Sequence, residues 1–351
     1  MPLAVPTLSI TPIEAPKLDP GVAYWLDSWR PSASTLHWSK AGGGCFYDDP
    51  LTSLAMAGHE LSPEKVAAFI ERQRLDFLDR GIKDDEVLSK MFNELAPDPQ
   101  GERKDDNLWD HLHFGACAML DGIHSRGYQW GGEYLTRLVW SYYNNANTPW
   151  MRDAGLSAKY ALYGDRGRPR TSGWIVHALL KALRCYERAK KPEEVAKVGA
   201  LLEFHVAAIG AAMPMIDDPQ TDSPLDPTVK HHRIFMIAIL LAAMRRVYIR
   251  MPSPQVKSIC DGLAEIIVAA RRGVATYVYD LAVDLDGKPY VHPNEGKAGT
   301  ITDGVAGVGI WLVDAMKWES FPLHLRGEMV QDAINRGWPK KEPVLFSCFV
   351  K

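Results

Sequence analysis

Arg166, Arg168 and Arg170 stand among glycine and proline in "GDRGRPRTSGW", directly ahead of an apolar helical run. Guanidinium forks and the unpaired N–H groups of a helix start both suit an anion, so the segment is a candidate clamp for a carboxylate or phosphate. A uronic-acid carboxylate fits it. A hook for the DNA minor groove uses similar letters, but such a hook works as a flexible arm of a basic chain, and this chain carries a formal net charge of −3. The bland role for the same arginines is a set of surface salt bridges around a helix start. The loop ahead, "YYNNANTPWMRDAGLSAKYALYGD", offers Trp150, Tyr160 and Tyr163 as stacking faces for sugar rings. Asn144, Asn145, Arg152, Asp153 and Asp165 add hydrogen-bonding partners.

Two further stretches could carry acid–base work. "DDNLWDHLHFG" sets Asp106, Asp110 and His113 on neighbouring turns of one helix face, where an acid–histidine pair can act as base and orienter. "KHHRIF" sets His231, His232 and Arg233 at the start of a helical hairpin. A histidine there could take a proton α to a carboxylate while an arginine stabilises the enolate-like charge. His292, Glu295 and Asp303 could reach the same rim from "DLAVDLDGKPYVHPNEGKAGTITDG", the one stretch with strand and turn character. The role against which all these must be weighed is a solvated loop, a cap or a structural hydrogen-bonded pair.

No metal or other cofactor is expected. His111-x-His113 has a strand spacing for zinc in a helical context. Pro219 and Pro224 interrupt the Asp217, Asp218 and Asp222 cluster, and "DLDG" lacks the glutamate of an EF-hand loop.

The elements that must position these residues follow a helical period beyond residue 50. Trp174, Ile175, Ala178, Leu179, Ala182, Leu183 and Tyr186 form one stripe, with Ser172 as its cap. Lys191-Pro192-Glu193-Glu194 turns the chain, and Val195, Val198, Leu201, Leu202 and His205 return it. The plan recurs from Asn107, His231 and Thr302, with a first copy from Asp49. Tyr186 and Tyr248 hold matching positions about sixty residues apart. Stacked hairpins of this kind form either an open solenoid or a closed ring. Long links at 147–171, 213–230 and 273–301 alternate with short turns, so they gather on one rim, as functional loops do.

"RPRTSGWIVHALLKALRCYERAKKPEEV" and "KPYVHPNEGKAGTITDGVAGVGIWLVDAMKW" resemble hairpin phrases of the six-hairpin glycosidase-like superfamily. In those phrases a Gly-Trp opens an inner helix, a small-residue and leucine stripe follows, and a Tyr-Glu pair precedes the turn. The likeness is one of pattern and spans roughly residues 105–335. It implies an α/α toroid and, by association, glycoside hydrolases and polysaccharide lyases. It names no catalytic residue.

The expected fold is therefore all-α: an α/α toroid of about five helical hairpins with a small β-ribbon and an extended N-terminal arm. Residues 1–48, broken by prolines 2, 6, 12, 16 and 20, form the arm; 49–338 form the toroid domain; 339–351 form a tail packing on it. Hydrophobic residues make up 46% of the chain and charged residues 24%, an ordinary globular balance. No membrane or nucleic-acid partner is expected, since no apolar run approaches the roughly 18 residues of a span and the charge balance gives no drive toward polyanions. Five scattered cysteines and no basic-then-apolar leader point to a cytoplasmic or otherwise reducing compartment.

The expected partner is a saccharide chain that carries uronates. A lyase would draw on Arg168, Arg170, His232 and Tyr163; a hydrolase would need two carboxylates from Asp110, Asp165, Glu295 and Asp303. Catalysis is assigned to His232, Tyr163, Asp110 and Asp165, and substrate binding to Arg168, Arg170, Trp150, Arg152, Arg233, His113 and Glu295. The histidine, arginine and tyrosine content of the rim favours β-elimination. The alternative is a non-catalytic carbohydrate-binding or structural scaffold toroid within a larger assembly.

Overall fold

Two kinds of helix alternate along the chain, and burial separates them. The computed structural model describes residues 49–56, 61–79, 81–88, 107–144, 169–215, 229–278, 280–284 and 306–335. Among these, α3 (Asn107–Ser125), α5 (Pro169–Arg188), α7 (Ile234–Arg250) and α9 (Ala306–Ala315) form one set, of which α5 and α7 are buried nearly all round over their central turns. Every residue from Ser172 to Leu183 of α5 and from Met236 to Met244 of α7 is buried. Helices of that kind need neighbours on all sides.

Between them come α4 (Gln129–Asn144), α6 (Pro192–Ala212), α8 (Pro254–Ala269) and α10 (Leu323–Asn335). Each buries one stripe: Val198, Leu202, His205 and Ile209 on α6, and Val256, Cys260, Leu263 and Ile267 on α8. The result is a double layer. Neighbouring inner helices pack as α3–α5, α5–α7 and α7–α9, and each outer helix packs on the inner helix before it.

The inner helices run in one direction. The last turns of α3 and α5 meet through Asp121 with Lys181 and His124 with Arg188. Gly173, near the start of α5, lies against Ile239 and Leu240 of α7, and Glu187 near its end pairs with Arg250. All four short turns thus sit at one end and the long links at the other.

Local chemistry explains the short turns. Gly127, at φ +92°, closes α3 with its N–H on the His124 carbonyl, and Lys190 takes the same left-handed place after α5 at φ +54°. Ser253 caps α8 by accepting from the Val256 N–H at 3.2 Å, with Pro254 next in line.

One contact reaches across the row of inner helices. Trp174 of α5 and Trp311 of α9 meet edge to face with ring centroids 5.9 Å apart, although α7 stands between their helices in the packing order.

Three local features depart from the sequence reading. Helix α5 starts at Pro169, so Arg170 belongs to its first turn, and Ser172 is a buried interior residue rather than a cap. His231, His232 and Arg233 lie on a strand, β1 (Val229–Arg233), that runs directly into α7. Its partner is β4 (Asp280–Asp284), antiparallel, with His232 opposite Leu281 and Arg233 opposite Asp280. A smaller ribbon of β2 (Arg271–Gly273) and β3 (Thr276–Tyr277) is held to α10 by Arg271 and Glu328 at 3.0 Å.

The first hairpin has its second helix starting at Pro63. Helix α1 (Pro50–Met56) begins where α3 ends: Asp49 accepts from the Thr52 N–H at 3.1 Å and pairs with Arg126 at 3.1 Å. Helix α2 (Pro63–Asp79) reaches α4 through Phe77 and Tyr134, 6.3 Å between rings. Helix α6 is, among the described residues, the one helix long and apolar enough to cross a membrane by length and composition; its buried stripe lies in the protein core.

A Cβ added at Gly173 would stand 2.9 Å from the Ile239 Cγ2 and 3.1 Å from the backbone of Leu240. Backbone cannot yield as a side chain tip can. Gly173→Ala should therefore destabilise by about 1–3 kcal/mol through overpacking. A urea midpoint unchanged from the parent would show that α5 and α7 are not in such close contact.

Candidate functional site

Three of the nominated site residues have described side chains, Arg170, His232 and Arg233. Arg170 sits half-buried in the first turn of α5, behind the buried Pro169. His232 is buried on β1, one residue before the half-buried Arg233 that starts α7. Gly173 of α5 lies against Ile239 and Leu240 of α7, and Arg170, His232 and Arg233 all precede that contact toward the N-terminal ends of the two helices. Asp110 and His113 belong to the first turns of α3, which points the same way; their side chains lie outside the described residues. Tyr163, Asp165, Arg168, Trp150, Arg152, Glu295 and Asp303 also lie outside them. Two guanidinium groups and an imidazole at one end of a helix layer can hold a carboxylate and move a proton beside it.

Below this end, the interior holds ionisable groups that sequence patterning did not single out. Asp121 of α3 is buried and faces Lys181 at 3.3 Å and Arg184 at 3.5 Å, and it also accepts from Arg188. Burial would raise its carboxyl pKa, but Lys181, Arg184 and Arg188 together hold it below the ordinary value. Asp314 of α9 repeats the arrangement with Arg246 at 2.5 Å, Arg245 at 3.3 Å and Lys317 at 3.3 Å. There too burial opposes ionisation and Arg246, Lys317 and Arg245 outweigh it, leaving Asp314 far below the usual carboxylate range.

Two buried histidines accompany these clusters. His177 of α5, fully enclosed, lies 5.8 Å from the Trp311 ring, one helical turn before Lys181. Burial, with Arg246 next, pushes its pKa well down. His205 of α6 meets the Tyr143 hydroxyl of α4 at 2.7 Å, and burial lowers its pKa to about 3.

A charged letter inside an apolar run was the signal available: Lys181 in "ALLKAL", Asp121 in "AMLDGI" and Asp314 in "WLVDAM". Such residues are buried only when paired. Cys117, Cys185 and Cys260 are buried free thiols, and burial raises Cys185 to about 12. No group of three His, Cys, Asp or Glu side chains suited to a metal ion occurs among the described residues.

No protein-family model, no curated protein and no solved structure matches this chain.

Proposed function

We propose that the hairpins close into an α/α toroid and that its mouth, at the N-terminal ends of the inner helices, binds an acidic saccharide and cleaves it by β-elimination. What supports this reading is that Arg170 lies in the first turn of α5 and that His232 and Arg233 lead into the start of α7, the neighbouring inner helix. The contact of Trp174 with Trp311, made across α7, supports closure.

In this mechanism Arg170 and Arg233 neutralise the uronate carboxylate and so acidify the proton α to it. The imidazole of His232 removes that proton. The electron pair left on carbon forms a C=C bond as the glycosidic C–O bond at the β position breaks, and the departing oxygen takes a proton from Tyr163. Trp150, Arg152, Arg168, His113 and Glu295 line the subsites, with Asp110 and Asp165 as the carboxylates of the site.

The test is incubation with a panel of polyuronates, following both absorbance of the new conjugated C=C bond and reducing ends. Elimination produces both signals together. His232→Gln is expected to lower turnover by about 10²–10⁴, the usual contribution of a general base. Reducing ends without the absorbance would replace elimination by hydrolysis through the carboxylates. Silence in both assays, with saccharide binding retained, would replace the enzyme by a carbohydrate-binding toroid.

A further inference from the structure

We infer that His124 is an acid-operated clasp: its neutral imidazole holds Arg188 across the seam of α3 and α5, and a proton on the ring breaks that hold. Arg188 donates from Nε to Nδ1 of His124 at 3.2 Å. A guanidinium has donors and no acceptor, so this bond requires a lone pair on Nδ1. The ring proton then sits on the other nitrogen, and Gln129, at the start of α4, accepts from the imidazole. A second proton has Nδ1 as its one place to go, and there it sets N–H against N–H.

The partner that yields is Arg188. His124 is buried, and Gly132 of α4 lies against its ring so closely that an added Cβ would stand 3.0 Å from Cδ2. Arg188, by contrast, keeps 30% of its side chain exposed. Its guanidinium can pivot on its Nη2 contacts to Asp121 and Cys185 while Nε leaves the ring.

The groups facing His124 come from three helices. On α3 itself, Asp121 serves Arg188, Lys181 at 3.3 Å and Arg184 at 3.5 Å. Arg126, two residues further on, pairs with Asp49 at 3.1 Å. From α5 come Arg188 and the Cys185 thiol, which burial keeps protonated. From α4 come Gln129 and Gly132, both neutral. Burial, with Arg188 next, pushes the His124 pKa below its ordinary value, against Gln129 and Asp121. The clasp is therefore closed at neutral pH and opens when the pH falls below about 6.5. Opening removes the strut that ties α5 through the imidazole to α4. It acts at the short-turn end and stands whether or not a saccharide binds at the other.

Heteronuclear NMR on the full chain reads the clasp directly. At pH 7.5 His124 should carry its proton on Nε2, and Arg188 Nε should show a scalar coupling to Nδ1 across the hydrogen bond. On acidification the coupling should vanish with the midpoint of the imidazole titration, below about 6.5. Arg188→Met should shift that midpoint upward, and Arg250→Met, at the seam of α5 and α7, should leave it in place. Three results overturn the proposal from wild-type spectra alone: a proton on Nδ1 at pH 7.5, a midpoint at or above about 6.5, or a coupling that outlasts the titration. An unshifted midpoint in Arg188→Met overturns it as well.

Discussion

Replacing Asp314 by alanine is expected to cost about 3–5 kcal/mol, the usual penalty for removing one partner from a buried ion cluster. The carboxylate is fully enclosed and is the shared acceptor of Arg245, Arg246 and Lys317. Arg246 is anchored twice, since it also donates to the Ala242 carbonyl at 2.9 Å, and so cannot easily swing out to water. Removing the carboxylate leaves three cations gathered at the α7–α9 interface with their mutual repulsion uncompensated.

Asp121→Ala should cost less, because Arg184 and Arg188 keep 46% and 30% of their side chains exposed and can turn to solvent. Urea denaturation of both variants checks the order. Equal losses, or a loss below about 1 kcal/mol for Asp314→Ala, typical of a surface pair, would mean that the cluster is solvated.

The second large effect is on acid stability. His177 and His205 are fully buried, and their folded-state pKa values lie below the unfolded value, so the unfolded chain binds more protons in acid. Stability from these groups is intact above pH about 6.5 and declines as pH falls toward the folded value, which for His205 is about 3. A buried histidine contributes a slope approaching about 1.4 kcal/mol per pH unit, so His205 gives a loss of about 2 kcal/mol between pH 7 and pH 5, and His177 adds to it in the same direction. Asp121 and Asp314 do not cancel this, since their lowered pKa values keep them ionised in both folded and unfolded chains over most of that window. Urea midpoints measured at half-unit pH steps give the proton uptake. A chain equally stable at pH 5 and pH 7 would contradict the burial of both imidazoles.

How far letters alone carry can be judged residue by residue. The stripe from Trp174 to Tyr186 was legible because a helix packed by apolar side chains must repeat them every three or four positions, and the structure buries that run. The turns after α5 and α7 were legible because proline and serine mark helix starts chemically. Pro169 was legible only in hindsight, since its place at the first position of α5 looks the same as a loop proline until the helix axis is known.

Strand β1 was not legible. "VKHHR" lacks apolar alternation and owes its extended form to β4, some fifty residues further along. Lys181 and Arg245–Arg246 were not legible as partners of buried carboxylates, because periodicity reports which face is buried, not whether a charge there has a partner. The candidate site was legible as residue types; that Arg170, His232 and Arg233 share an end depends on Gly173 fitting against Leu240, a contact between separate hairpins.

The common direction of α3, α5, α7 and α9 has an electrical result. Each peptide dipole along these helices points its positive end toward the long links, so about half an elementary charge of positive character is presented there by every inner helix. The outer helices run the other way but keep one face exposed, so water screens their dipoles more and they offset this field only in part. At the opposite end, Arg126, Arg188, Lys190 and Arg250 sit beside the negative helix ends and offset them. A chain whose formal charge is −3 can thus still offer an incoming anion an attractive potential along one axis, from one side only.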